Sequence, residues 1–412
     1  MIKKLRSSLF ILLVQLAASF QTPKTEKNNS SITDLPCEFG DLLAAIHSSF
    51  TVRKTIFFVV LFFSFIGANA ATRTSTAAGG TWATGSTWIG GVAPVAGDDV
   101  IIATTGANSV TVGTSTSIVN VTINAGATLN IANRTLTTTG FFVNNGTLTG
   151  TTGIVTLTGN FTNSGNFTLT TGRLTIASGN FNNSGNFTLS GAGRLLLGGN
   201  YSTSGSVTLS SALVQFTGTA NQTIQGLTTT GTVSMLKTGG AATFTGNVNG
   251  SGLTIDGSGG TLHLGAGLMH TFSGTWTRTA GTGILNCGSS ILKIGGSISG
   301  AGGAFIAGTG TVDYYRLGNQ NGAAVVYNNL ILSGTGTKTF ATTPTVNGKL
   351  TLAGTATVSV TGAGVVTYGP NATLEYNTTN ARPVTSEEWI ISFAASGGVV
   401  INTTQNLTLN SA

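Results

Sequence analysis

Residues 159–209 read GNFTNSGNFTLTTGRLTIASGNFNNSGNFTLSGAGRLLLGGNYSTSGSVTL, and this stretch decides the fold. Three segments in it align without gaps, GNFTNSGNFTL from Gly159, GNFNNSGNFTL from Gly179 and GNYSTSGSVTL from Gly199, a period of 20 residues. A second apolar run follows each: RLTI at Arg173–Ile176, RLLL at Arg194–Leu197 and LVQF at Leu213–Phe216. The pattern reaches backwards, since Phe142, Asn144, Gly146 and Leu148 match Phe161, Asn163, Gly165 and Phe167 at an offset of 19. The runs alternate apolar and polar residues and are bounded by Gly or Asn-Ser-Gly, which suits short strands separated by sharp bends.

A fixed period near 20 made of two or three short strands reads as a solenoid. Helical repeats are excluded, because no window holds an i, i+3, i+4 apolar pattern and each glycine would cost a helix about 1 kcal/mol. The leucine-rich frame L-x-x-L-x-L is absent, and propeller blades need about 40 residues each. The expectation is an all-β chain, a right-handed parallel β-helix of about 20-residue turns following an N-terminal export signal. Turns stacked about 4.8 Å apart put identical residues above one another. Phe161, Phe181 and Tyr201 then form one core ladder, and Leu169, Leu189 and Leu209 another. Asn163 and Asn183 stack at a bend, each amide bonding the next. Gly165, Gly185 and Gly205 are expected to take the positive φ that follows. Thr168, Thr188 and Thr208 form an outer hydroxyl face, followed at two residues by Thr170, Ser190 and Ser210, whose rows are expected to satisfy themselves.

The N-terminal stretches read as export signals. MIKKLRSSLFILLVQLAAS opens the chain, and VRKTIFFVVLFFSFIGANA from Val52 to Ala70 is better formed, with Arg53 and Lys54, an apolar core Ile56–Ile66 and the cleavage motif Ala68-Asn69-Ala70. That core is shorter than the roughly 20 apolar residues a bilayer span needs, so no stable membrane span is expected. The expected organisation is 1–51 an upstream extension or first signal-like segment, with Val52 as the true start, and 52–70 the signal peptide. Residues 71–112 then form an N-terminal cap carrying Trp82, Trp88 and Asp98-Asp99, residues 113–230 regular turns, and 231–412 longer irregular modules. At a period near 20 the chain beyond 70 would form at most roughly 17 turns.

VQFTGTANQ from Val214 recurs as VDYYRLGNQ from Val312, and VNGSGLTI from Val248 as VNGKLTL from Val346, both at an offset of 98, which reads as a super-repeat of about five turns. No capping element follows the last apolar run at LTLNSA, so the chain reads as the N-terminal part of a longer protein.

Composition narrows the function. Charged residues make up 7% of the 412 and mean hydropathy is +0.30, against roughly 25% charged residues in an ordinary soluble domain. Beyond residue 70 the chain carries 11 basic and 7 acidic residues, a net charge of +4, and the scattered cations make no nucleic-acid footprint. With Cys37 upstream, Cys287 has no disulfide partner and reads as a small buried hydrophobe.

The opening TW-x5-W-x-GG-x2-P-x2-GDDV-x-I, the VNG-x-LTL units, the stretch GTVDYY...NQ...YNNLILSGTGTKTF and ATLEYN...EEW together resemble the repeat-rich surface proteins of gliding-type Gram-negative bacteria. Many of those look like adhesins exported by type IX secretion. The resemblance covers 71–412 and implies an exported, surface-exposed solenoid whose partners are surface glycans or neighbouring cell-surface proteins.

Catalysis by a β-helix would need paired carboxylates, or a carboxylate-bound cation with a nearby Arg or Lys base. The acids after residue 70 are Asp98, Asp99, Asp256, Asp313, Glu375, Glu387 and Glu388. Neighbours on a strand point to opposite faces, so Asp98-Asp99 reads as a turn-forming cap and Glu387-Glu388 as a solvated loop. His263 and His270 lack a carboxylate or thiolate cluster, and no GGxGxD tract is present, so neither a metal site nor a cofactor is expected. Trp82, Trp88, Trp276 and Trp389 are expected to pack in core or cap rather than to stack on sugars. The sequons at Asn160 and Asn186 are explained by turns. An ice-binding hydroxyl face is set aside, because only three turns show the threonine row regularly. The reading is therefore a secreted or cell-surface structural and adhesive β-solenoid without catalysis. A carbohydrate-active or carbohydrate-binding β-helix is the alternative.

Overall fold

The computed structural model describes residues 70–409 except 391, and the expected segments upstream of Ala70 lie outside the described residues. The chain coils as a parallel β-solenoid of about 14 turns, all named strand pairs being parallel, with one antiparallel bridge between Ser75 and Trp88. Each turn has three sides. The first face is a 12-stranded sheet running from Thr72–Thr74 to Ala304–Ile306. The second is a 7-stranded sheet from Gly80–Thr81 to Ser206–Thr208, succeeded in the same place in the turn by a 9-stranded sheet from Leu227–Thr228 to Val399–Ile401. The third is a 10-stranded sheet from Thr116–Ile118 to Ile298–Ser299. Shorter sheets complete the last turns, the largest strands there being Thr337–Phe340 and Thr357–Val360. The only helix among the described residues is a 3-10 turn at Gly85–Thr87, and no described helix is long and apolar enough to cross a membrane.

Period-2 alternation builds each side. In Asn166–Leu169, Phe167 and Leu169 point inward and are buried, while Asn166 and Thr168 are exposed. Register then stacks like on like: Phe161 pairs with Phe181 and Phe181 with Tyr201. The aromatic rings lie 5.3 and 4.9 Å apart in stacked geometry. Leu169 pairs with Leu189, and Leu209 is buried beyond the last paired residue of its strand. A second aromatic ladder, Phe167 on Phe187 at 4.9 Å, meets the first edge-on, with Phe161 and Phe167 5.3 Å apart at 88°. Each fully buried ring removes enough apolar surface from water to contribute about 1.5–3 kcal/mol.

Gly165, Gly185 and Gly205 do not take positive φ. A Cβ on any of them would overlap the carbonyl oxygen of the glycine one turn earlier, so the residue is set by the approach of stacked corners rather than by a left-handed bend. Residues 71–112 are likewise part of the stack: Thr72–Thr74 pairs with the strand Asp99–Ile102, and Gly80–Thr81 with Val110–Thr111. Trp82 and Trp88 are buried there edge-to-face at 5.1 Å, with Trp88 Nε1 donating to the Trp82 carbonyl at 2.7 Å. The regular geometry ends earlier than residue 230, where the second face breaks between Thr208 and Leu227. Beyond it turn length varies: Val312 pairs with Leu330, 18 residues on, and Leu374 with Val399, 25 residues on.

The 98-residue super-repeat is not a whole number of turns. Val214 lies on the third face but Val312 on the second, in the ladder of Leu292 and Leu330. What recurs is the corner. Gln222 is buried and donates Nε2 to the carbonyls of Leu197 and Gly199, and Gln320 does the same for Ile294 and Gly296.

Candidate functional site

The outward rows of the second face are the most regular surface of the molecule. Thr168, Thr188 and Thr208 are paired in register. The row runs on backwards through Thr149, Asn130, Thr111 and Thr81, one residue from every strand of the 7-stranded sheet. Two residues earlier on the same strands stands a parallel row of Thr128, Thr147, Asn166, Asn186 and Ser206. Neither row holds a charge or an aromatic ring. The expectation that only three turns carry the row is thus corrected. The earlier members escaped notice because turn length there departs from 20, as Thr149 and Thr168 are 19 apart. Neighbouring rows differ: the third face carries Ser117, Thr137, Thr156 and Thr175 in one row but is interrupted by Leu196 and Gln215. It also bears Arg173 paired with Arg194.

Inside the corner beside this face runs an amide ladder. Asn144 Nδ2 donates to Asn163 Oδ1 at 2.6 Å, Asn163 Nδ2 to Asn183 Oδ1 at 2.7 Å, and Asn183 Nδ2 to Thr203 Oγ1 at 3.1 Å. Each amide also reaches backbone carbonyls of its own or the next corner, Asn163 those of Gly165 and Asn186. A second ladder on the corner before the first face was not foreseen: Asn160 Oδ1 accepts from the Asn180 amide and Asn180 Oδ1 from that of Asn200. Its signal was the Gly-Asn dipeptide opening each repeat. Bonding between turns at the surface falls to corner residues, Ser164 Oγ donating to Asn145 Oδ1 and Ser190 Oγ to the Thr170 carbonyl. The threonine rows are left to water.

The acids hold structure. Asp98 is buried and accepts from the Ala71 amide, the Val95 amide and Arg73 Nε at 3.0–3.1 Å. Burial alone would raise its pKa, but those donors outweigh it and hold the carboxyl below its usual range. Asp99 points elsewhere and accepts from Asn120 Nδ2. Asp313 meets Lys293 at 3.5 Å and Ser333 Oγ at 2.6 Å, and its burial keeps its pKa raised. Glu375 accepts from Thr351 and lies 3.2 Å from Lys349, and Asp256 accepts from Thr279.

Glu388 overturns the solvated-loop expectation. It is fully buried, 2.6 Å from Arg382 Nη2, and accepts from Thr385 Oγ1 at 2.6 Å, with Tyr376 OH at 3.4 Å. Burial raises its pKa against the pull of Arg382. Trp389 packs on Tyr376, 6.1 Å between centroids, and Trp276 is fully buried.

Two corners enclose buried ammonium groups. Lys237 Nζ donates to the carbonyls of Thr217 and Ala220 and to Gln222 Oε1, and Lys338 Nζ to those of Arg316, Gly318 and Thr335. Burial lowers both pKa values, that of Lys338 to about 8. His270 is buried with Nδ1 accepting from the Val248 amide and Nε2 donating to the Leu264 carbonyl, a neutral imidazole whose pKa burial lowers. His263 Nδ1 accepts from the Gly265 amide on a different strand. Cys287 is buried, its thiol pushed up to about 12. Among the described residues no group of three or more His, Cys, Asp or Glu side chains is arranged to hold a metal. Comparison of the chain with protein-family models, curated proteins and solved structures returns no match.

Proposed function

We propose that this chain is an exported structural β-solenoid that presents an adhesive surface outside the cell, with surface glycans or neighbouring surface proteins as partners. The observation that carries the reading is the single stack itself: one continuous core under outer faces poor in charge, with most acids engaged in bracing it. Supporting it, the Ala68-Asn69-Ala70 motif stands immediately before the first paired strand, Thr72–Thr74. The test is binding of the purified chain to glycan and cell surfaces, run beside a turnover screen on acidic and neutral polysaccharides. Depolymerisation by the chain would replace this reading with the carbohydrate-active one.

The unbroken hydroxyl rows favour a second reading, in which the second face binds ice. Rungs about 4.8 Å apart and alternate residues about 6.8 Å apart along a strand make a rectangular hydroxyl grid with spacings close to those of oxygen atoms on ice surfaces. A charge-free grid suits a neutral lattice, since charges hold their own hydration water against it. Thermal hysteresis abolished by Thr149→Lys with Thr188→Lys, and retained with Thr156→Lys on the third face, would support it. A chain that neither shapes ice crystals nor gives hysteresis disposes of it.

A further inference from the structure

Cleavage after Ala70 would have a structural consequence at Asp98. The Ala71 nitrogen already lies 3.1 Å from Asp98 Oδ1, and the Ala71 carbonyl accepts from the Asp99 amide at 2.9 Å. Ala71 is therefore held on both sides before any cut is made. Ala70 is exposed and precedes the first strand by two residues, which leaves the Ala70–Ala71 bond accessible at the end of the stack. We propose that the Ala70–Ala71 bond is a processing site whose product, the α-ammonium of Ala71, forms a buried ion pair with Asp98 and pins the N-terminal edge of the solenoid.

Hydrolysis of that bond adds water, leaves a carboxylate on Ala70 and converts the Ala71 amide into an amine that takes up a proton near neutral pH. A nitrogen that donated one neutral hydrogen bond then carries a full charge at the same place. Asp98 is suited to receive it. Its carboxylate is 4% exposed, and its other oxygen is committed to Arg73 Nε and the Val95 amide, which fixes the orientation of Oδ1. Arg73 is the one charged neighbour in contact with Asp98, and its side chain is 24% exposed, so its charge is partly screened. Asp99, next in sequence, is turned away to Asn120. The Asp98 carbonyl in turn accepts from the Val119 amide of the following turn, so a clamp at Asp98 ties the first rung to the second.

The pairing rests on the export reading only for the identity of the cut, and the experiment separates the two. N-terminal sequencing of the exported protein should find Ala71 first. A start at any other residue overturns the proposal. The pairing itself is tested on a chain released at Ala71 by an engineered protease site and on the unprocessed full chain, each with Asp98 or Asp98→Asn. The thermal midpoint of the chain starting at Ala71 should fall further on Asp98→Asn than that of the unprocessed chain. The excess should vanish when the α-amine is acetylated. An α-amine paired with a carboxylate has a raised pKa, so its stabilisation is present below its unfolded value of about 8 and is lost as pH rises through the folded one. Equal losses in both chains, or an excess that survives acetylation, would overturn the ion pair while leaving export untouched.

Discussion

Replacing Asn163 by alanine should open the solenoid locally, and the size of the effect follows from its bonds. Asn163 accepts from Asn144 and donates to Asn183 within the fully enclosed corner. Without it, Asn183 Oδ1 loses its donor, while Asn144 Nδ2 keeps only its bond to the Asn166 carbonyl. Leaving a buried polar group unsatisfied costs about 1–3 kcal/mol, so two such groups give a loss of about 2–6 kcal/mol. Asn182 is the control: it is a neighbour on the same ladder but faces solvent, where substitution costs within about 0.5 kcal/mol. Each turn contacts only its neighbours, so the damage should stay local. Hydrogen exchange read along the chain should therefore rise in strands 142–144, 161–163 and 181–183. Strands 329–332 and 349–354 should stay protected. A urea midpoint no lower for Asn163→Ala than for Asn182→Ala would refute the reasoning, because the ladder would then contribute nothing beyond its surface neighbours.

Other substitutions test the remaining devices. Gly185→Ala should destabilise although its φ suits any residue, since the added methyl meets the Gly165 carbonyl; a neutral result would mean the corners can separate freely. Arg382→Met should cost about 3–5 kcal/mol by leaving Glu388 buried and unpaired, read as a lower denaturant midpoint at neutral pH. Lys338 has a folded pKa of about 8, below its unfolded value, so the folded state binds fewer protons between the two. Its contribution to stability should therefore rise as pH climbs from about 8 to about 10, and the difference between wild type and Lys338→Met, followed across that window, measures it.

Much of the architecture was legible because a solenoid writes its contacts into local sequence. Residues 20 apart are neighbours, so the Phe161, Phe181 and Tyr201 register could be read directly from spacing. The glycine corners were found, but their cause was not: spacing shows that a side chain is missing, whereas the oxygen that excludes it belongs to another turn. Glu388 was misplaced for a related reason. Its partner Arg382 is six residues away across a corner, and no periodicity announces an ion pair that occurs once.

The sequence by itself determined the period, the strand alternation and the inward aromatic and amide ladders, since repetition at fixed spacing leaves one way to stack identical residues. Only the tertiary structure decided which residues share a face once turn length drifts between 18 and 25 residues. It joined Thr81, Thr111, Asn130 and Thr149 to the Thr168 row, moved the 98-residue repeat onto a different face, and brought the Ala71 nitrogen to Asp98. The physical reason is that insertions are absorbed in the corners, where backbone reaches solvent at little cost, while hydrogen-bonded register is restored on the sides.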